Sequence, residues 1–231
     1  MSSDETPITA HEIAKMIDHS LLRPYLTDAE LQEGLELSIK YDVASACIKP
    51  CDVLETTKRL EGTQVLVCAV VGFPHGSHAR ETKLFETKLA LDAGADEIDV
   101  VMNIGKWKSG SVAYVERELR AIVEEVASQS GLTKVILENS YLTQDEIRQA
   151  CVVCERVGAD FVKNGTGYGA SSSVVENIAL MRASVSPQIG VKVAGGVRTL
   201  DQLLDFRRAG ATRVGTRATE EILLEANNRF G

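Results

Sequence analysis

The 231-residue chain has no apolar run approaching the ~18 residues that a membrane-spanning helix needs, so a span is not expected. Residues 1–10 are polar and carry no apolar signal core, which leaves nothing to direct export. No stretch is dense in lysine or arginine, and the net charge is −8, so a polyanion such as nucleic acid is not an expected partner, although a local anion pocket remains open. Aromatic residues are scarce at 5%, so small apolar side chains must carry the core. The cysteines number five, Cys47, Cys51, Cys68, Cys151 and Cys154, an odd count that reads as reduced thiols in a cytoplasmic protein.

What the chain does have is alternation. Apolar, β-branched runs recur at "VASACIK", "VLVCAVVG", "EIDVVMN", "KVILEN", "DFVKN", "VKVAGG" and "TRVGT", with a weaker one at "MIDHSLL". Between them lie stretches with leucine, valine and alanine at three- and four-residue steps, such as "RETKLFETKLALDAG". This order predicts a parallel sheet covered by helices. Eight strands and no internal linker favour one (β/α)8 barrel domain over residues 1–231, with 1–15 as an N-terminal helical extension. A doubly wound open sheet is the competing reading. It would normally show a glycine-rich loop after the first strand, and "HSLLRPYLT" is not one.

Three segments echo one another: "DAGADEIDVV", "RVGADFVKNG" and "RAGATRVGTR". In each, a glycine suited to a left-handed helix cap precedes a strand. Five places after that glycine come Asp99, Lys163 and Gly215; "DVASAC" is a degenerate copy, with Asp42 in the glycine position and Cys47 at the same offset. Side chains alternate across a strand, so equal offsets place Asp99, Lys163 and Cys47 in one interior layer.

Lys163 ends the sixth strand at a glycine-rich loop, and Lys192 falls in the seventh. Neighbouring strands lie about 4.8 Å apart. Two inward ammonium groups at that range disfavour double protonation, and burial acts in the same direction. One amine is then free to attack a carbonyl and form an iminium. Asp99 is placed to move protons for it. Together these residues point to an aldolase that needs no metal or other cofactor. The alternative for such a lysine is a buried ion pair with a purely structural task.

At these residues the chain resembles the deoxyribose-phosphate aldolase family, Schiff-base enzymes on a TIM barrel. "IDHSLL", "ACIKP", "VVGFPHG", "GADEIDVVMNIGKWKSG", "GADFVKNGTG" and "VKVAGGVRT" are similar to the family's motifs and follow them in order. The resemblance implies Lys163 as the Schiff-base lysine, Lys192 as the lysine that tunes it, and Asp99 in the proton relay. Asp18, Cys47 and Thr166 match positions lining the substrate pocket. The implied reaction is reversible cleavage of 2-deoxyribose 5-phosphate to acetaldehyde and glyceraldehyde 3-phosphate. The implied partners are therefore a small sugar phosphate and acetaldehyde, and the expected assembly is a homodimer.

The chain departs from the family in two places. Asn164-Gly165-Thr166-Gly167 stands where Thr-Ser-Thr-Gly is usual, and Gly215-Thr216-Arg217-Ala218 where Gly-Thr/Ala-Ser-Ser is usual. Backbone N–H groups near Gly195, Gly196 and Gly215, with the following helix N-terminus, remain able to bind an anion, and Arg217 can add charge-assisted bonds. A related aldolase for an unphosphorylated or differently charged sugar, and a non-catalytic phosphosugar-binding barrel, therefore stay open. Lys49, where the family commonly has Asn or Tyr, has no assigned role.

Other features have simpler readings. In "HGSHARE", His75, His78 and Glu81 resemble metal ligands, but the segment reads as a loop with Ser77 capping a helix, and no metal is expected. Cys151 and Cys154 form a C-x-x-C inside a helical pattern, which suits core packing. Cys47 is either a reactive thiol in the pocket or a small apolar filler. Glu138, ending the fifth strand, is expected to bond Lys192 or a neighbouring backbone group. His19 is expected to make a structural hydrogen bond. Trp107, in a loop of surface composition, is expected to pack against a partner chain.

Overall fold

A computed structural model describes residues 8–170 and 173–231. Eight parallel strands close into one barrel in sequence order: β1 (Ile17–Leu21), β2 (Ser45–Ile48), β3 (Leu66–Val71), β4 (Glu97–Val101), β5 (Leu132–Ile136), β6 (Phe161–Lys163), β7 (Gly190–Ala194) and β8 (Arg213–Thr216). β1 pairs with β8, which rules out the open-sheet alternative. The expected N-terminal extension contains the short helix α1 (Ala10–Ala14), which packs on the last helix, α10 (Thr219–Phe230). Residues 1–7 of that extension lie outside the described residues.

Alternation along each strand sorts the side chains. On β4, Ile98 and Val100 point outward and alternate with Glu97 and Asp99, which point inward. Outward residues such as Ile17, Val67, Val135, Val162 and Val193 join one apolar shell beneath the helices. Each such side chain contributes about 1.5–3 kcal/mol by leaving water. The barrel interior is different: it carries seven charged side chains in place of the usual aliphatic layers.

The covering helices are α2 (Asp28–Lys40), α3 (Val53–Leu60), α4 (Arg80–Asp92), α6 (Val112–Ser128), α7 (Gln144–Val157), α8 (Val175–Ala183), α9 (Leu200–Arg208) and α10, with the short α5 (Ile104–Lys108) after β4. Among the described residues, capping boxes start four of the ten α-helices, at Thr9/Glu12, Thr27/Glu30, Thr143/Glu146 and Thr199/Gln202. Each cap is worth about 1 kcal/mol. The echo in the sequence is an echo in the backbone. Gly94, Gly158 and Gly210 lie at φ 101°, 86° and 101°, and Asp42 keeps the same left-handed turn at φ 48° without being glycine.

Two expectations are corrected here. Ser77 does not cap α4, whose N-cap is Ala79 with no side-chain bond. Trp107 is not a surface residue: α5 turns it inward and it is 4% exposed within its own chain's core.

Candidate active site

The site starts from the strand register. Lys163 and Lys192 are direct partners across β6 and β7, and Asp99 pairs with Lys134 across β4 and β5. Lys163 Nζ donates to Asp99 Oδ2 at 2.7 Å, and Lys192 Nζ donates to the same oxygen at 2.6 Å. Asp99 Oδ1 accepts from Lys134 Nζ at 3.0 Å. One carboxylate thus serves three ammonium groups, all of them essentially buried.

A second layer lies beneath. Lys134 Nζ donates to Glu97 Oε2 at 2.5 Å, and Arg213 bridges Asp18 at 2.6 Å and Glu97 at 3.2 Å. Lys192 also forms an ion pair with Asp18 Oδ2, although that oxygen accepts no aligned hydrogen bond. Burial opposes charge throughout, and the opposite charges outweigh it. Asp99 is held well below the usual carboxylate range by Lys134, Lys163 and Lys192, and Asp18 is held down by Lys192 and Arg213. Lys192 and Lys134 are held well above the usual lysine range by their carboxylates, and both stay charged.

A cavity of about 850 Å³ opens above the lysines, at the C-terminal ends of β1, β6, β7 and β8. Its wall includes Lys163, Lys192, Cys47, Thr166, Gly195, Gly196 and Gly215, and also Arg217. Gly195 and Gly196 lie at φ 102° and 88°, a backbone that disfavours any side chain and brings the chain close to the cavity. Arg217 is exposed at the rim, and no carboxylate pairs with it among the described residues. Asp18, expected to line the pocket, is absent from its wall: it is 0% exposed and lies one layer down, holding Lys192 and Arg213.

Loop side chains fix the mouth. Glu138 takes the second of its two expected options, since its carboxylate accepts from Thr166 N at 3.1 Å and from Thr166 Oγ1 at 2.5 Å, not from Lys192. It does so from a left-handed backbone, φ 57°. Asn164 ties β6 to β7 by accepting from Ala194 N at 2.7 Å and donating to Ser173 Oγ at 2.8 Å. Tyr168 crosses the mouth: its hydroxyl donates to the Leu22 carbonyl at 2.8 Å and its ring meets the edge of Phe73. Lys49 is engaged with Asp52 at 3.3 Å and the Leu26 carbonyl at 3.4 Å. His19 Nδ1 bonds Thr219 Oγ1 at 2.8 Å, and burial pushes its imidazole down to about 4. Cys151 and Cys154 sit on the buried face of α7, where burial pushes the Cys151 thiol up to about 12.

Among the described residues, His/Cys/Asp/Glu groups close enough to share an ion are Cys47/Cys68/Asp99 and Asp18/Cys68/Glu97; neither includes His75, His78 or Glu81. Lys134 already occupies both, with its ammonium on Glu97, Asp99 and Cys68 Sγ at 3.3 Å. Lys134, Glu97, Arg213 and Cys68 were not singled out in the sequence. The signal was available for Glu97, which stands two residues before Asp99 and so faces the same side of β4.

A family model described as DeoC/LacD family aldolase matches residues 14–217. A protein named deoxyribose-phosphate aldolase from Streptococcus equi subsp. zooepidemicus is 48% identical over 211 residues, covering 91% of this chain and 95% of its own. One of the same name from Clostridium perfringens is 43% identical over 211 residues, covering 91% and 94%. A solved structure titled as the unique tetrameric structure of deoxyribose phosphate aldolase from Aeropyrum pernix superposes with TM-score 0.88 at 29% identity, covering 94% of this chain and 92% of that one.

Proposed function

The chain belongs to the DeoC/LacD family of aldolases, and from that premise we propose that it cleaves 2-deoxy-D-ribose 5-phosphate reversibly to acetaldehyde and D-glyceraldehyde 3-phosphate through a Schiff base on Lys163. The observation that carries the reading is the sharing of Asp99 Oδ2 by Lys163 and Lys192. The buried cluster holds three carboxylates, Asp18, Glu97 and Asp99, against four cations, Lys134, Lys163, Lys192 and Arg213. Lys134, Lys192 and Arg213 each contact two or more carboxylates, whereas Lys163 contacts only Asp99 among the described residues. Lys163 is therefore the least tied of the four, and it borders the cavity, which makes it the amine placed to attack.

The amine nitrogen adds to the aldehyde carbon of the open-chain sugar. Lys192 gives a proton to the carbinolamine hydroxyl, which leaves as water. The iminium draws electrons from the bond between the second and third sugar carbons. As that bond breaks, the hydroxyl on the third carbon loses its proton, with Asp99 and Lys192 passing protons across the site. Glyceraldehyde 3-phosphate departs, the enamine takes up a proton, and water releases acetaldehyde. Cys47 and Thr166 border the reacting carbons, and Glu138 holds Thr166 in place. Backbone N–H groups near Gly195, Gly196 and Gly215, with Arg217, take the phosphate.

Five free thiols fit a cytoplasmic enzyme. The N-terminal extension and barrel act as one domain, and a homodimer remains the expected assembly. The test is borohydride reduction with acetaldehyde, followed by mass mapping. One ethyl group on Lys163 is expected, and an unmodified Lys163 would leave the binding-only barrel as the better account. Running deoxyribose 5-phosphate and free deoxyribose side by side shows whether the phosphate is required.

A further inference from the structure

Cys47 and Cys68 stand directly opposite each other on β2 and β3. Both face inward, and their sulfurs lie 3.8 Å apart. Strands neighbour at about 4.8 Å, within the span a disulfide bridges, and a bond needs the sulfurs to close to about 2.05 Å. The two thiols differ in access. Cys47 borders the cavity above the lysines, whereas Cys68 is fully buried behind it, in an apolar patch with Leu22, Val70 and Phe73. Cys68 is also wired to the reacting groups, since its S–H faces Asp99 Oδ1 at 3.2 Å and its sulfur accepts from Lys134 Nζ at 3.3 Å.

We propose that Cys47 and Cys68 form a peroxide modification site in which a small hydroperoxide, entering through the cavity, converts the pair to a disulfide and switches the barrel off. In the first step, written for hydrogen peroxide, the Cys47 thiolate attacks one peroxide oxygen. The O–O bond breaks, Cys47 becomes a sulfenic acid, and the departing hydroxide takes up the proton that Cys47 had lost and leaves as water. In the second step Cys68 sulfur attacks Cys47 sulfur. The S–O bond breaks, and the hydroxide leaves with the Cys68 proton as a second water. Two thiols have lost two electrons and the peroxide has gained them.

The surroundings assign the two roles. The contact with Cys68, together with Lys192 and Lys163, outweighs burial and pushes the Cys47 thiol down, which suits the attacking sulfur. Burial pushes Cys68 well up and keeps its proton until the second step. The other three cysteines lack this setting, since burial also raises Cys51, Cys151 and Cys154. Once bridged, Cys68 has no S–H for Asp99, and its sulfur moves away from Lys134. The carboxylate that serves both lysines then loses one of its fixed contacts.

The test treats the full chain with hydrogen peroxide and reads peptide masses, so it is independent of whether the aldolase reading holds. The expected product is one peptide pair linked through Cys47 and Cys68, lighter by two hydrogens and separated again by dithiothreitol. Activity is expected to fall about tenfold or more with linkage and to return with the reductant. In Cys68→Ala, dimedone is expected to label Cys47 persistently, because nothing resolves the sulfenic acid. In Cys47→Ala, Cys68 is expected to stay unmodified, because it has no route to the oxidant. Peroxide that leaves both thiols free, drives Cys47 to higher oxides without linkage, or labels Cys68 in Cys47→Ala would overturn the proposal.

Discussion

Lys163 and Lys192 face each other across β6 and β7 and donate to a single oxygen, Asp99 Oδ2, at 2.7 and 2.6 Å. Two cations on one acceptor are stable together only because that acceptor is fully ionised and because Asp18 takes part of the load from Lys192. Removing the acceptor should therefore affect both chemistry and folding.

Asp99→Asn is expected to lower kcat by about 10²–10⁴, the usual worth of a placed proton-transfer group. It also leaves three buried ammonium groups short of a partner, so stability should fall by ~3–5 kcal/mol. Steady-state kinetics and urea unfolding measure the two effects separately. Wild-type turnover in a folded Asp99→Asn protein would remove Asp99 from the reaction.

Arg217 stands at the cavity rim with no carboxylate partner among the described residues. A charge-assisted bond to phosphate is worth about 1.5–3 kcal/mol, so Arg217→Ala should raise KM for the phosphorylated sugar by about tenfold to a hundredfold. KM for free deoxyribose should not change. Equal effects on both sugars would show that Arg217 does not read the phosphate.

Lys134 lies beneath the site and touches Glu97 and Asp99. Lys134→Met leaves those carboxylates under-compensated and is expected to cost ~3–5 kcal/mol in urea unfolding. Adding Glu97→Gln removes one orphaned charge and should recover part of that loss. A double variant no more stable than the single one would mean that Lys134 acts through packing, not charge.

His19 is buried neutral, with its folded value at about 4 against 6.5 for a free imidazole. Below pH 6.5 the unfolded chain binds a proton that the folded chain refuses until about 4, so stability rises with pH across that window. The contribution is complete above 6.5 and is lost as pH falls toward 4, by roughly 3 kcal/mol. Denaturant titrations of wild type and His19→Gln should diverge in slope between those pH values and run parallel above them. Parallel curves throughout would refute the assignment.

The catalytic layer was legible because each copy of the repeated segment ends its helix in the left-handed region and then enters a strand at the same phase. Gly94, Gly158 and Gly210 do this as glycines, and Asp42 does it at φ 48° with a side chain. Counting five residues from each turn therefore finds Asp99, Lys163, Gly215 and Cys47. Depth was harder to read. Asp18 was expected in the pocket wall, but its side chain is fully buried, held among Lys192 and Arg213. Trp107 looked exposed from its polar neighbours, and only the turn of α5 into the core reversed that.

The amino-acid order alone determined the alternation of strand and helix, the closed-barrel reading and the inward face of each reactive strand. These depend on local periodicity and on turn residues, which act over a few positions. The polar floor of Glu97, Lys134 and Arg213, the Cys47–Cys68 contact and the crossing of Tyr168 to Leu22 were decided by tertiary structure. Each joins residues 21 to 146 positions apart, and their meeting depends on strand register and, for the widest spans, on barrel closure, which no local stretch encodes.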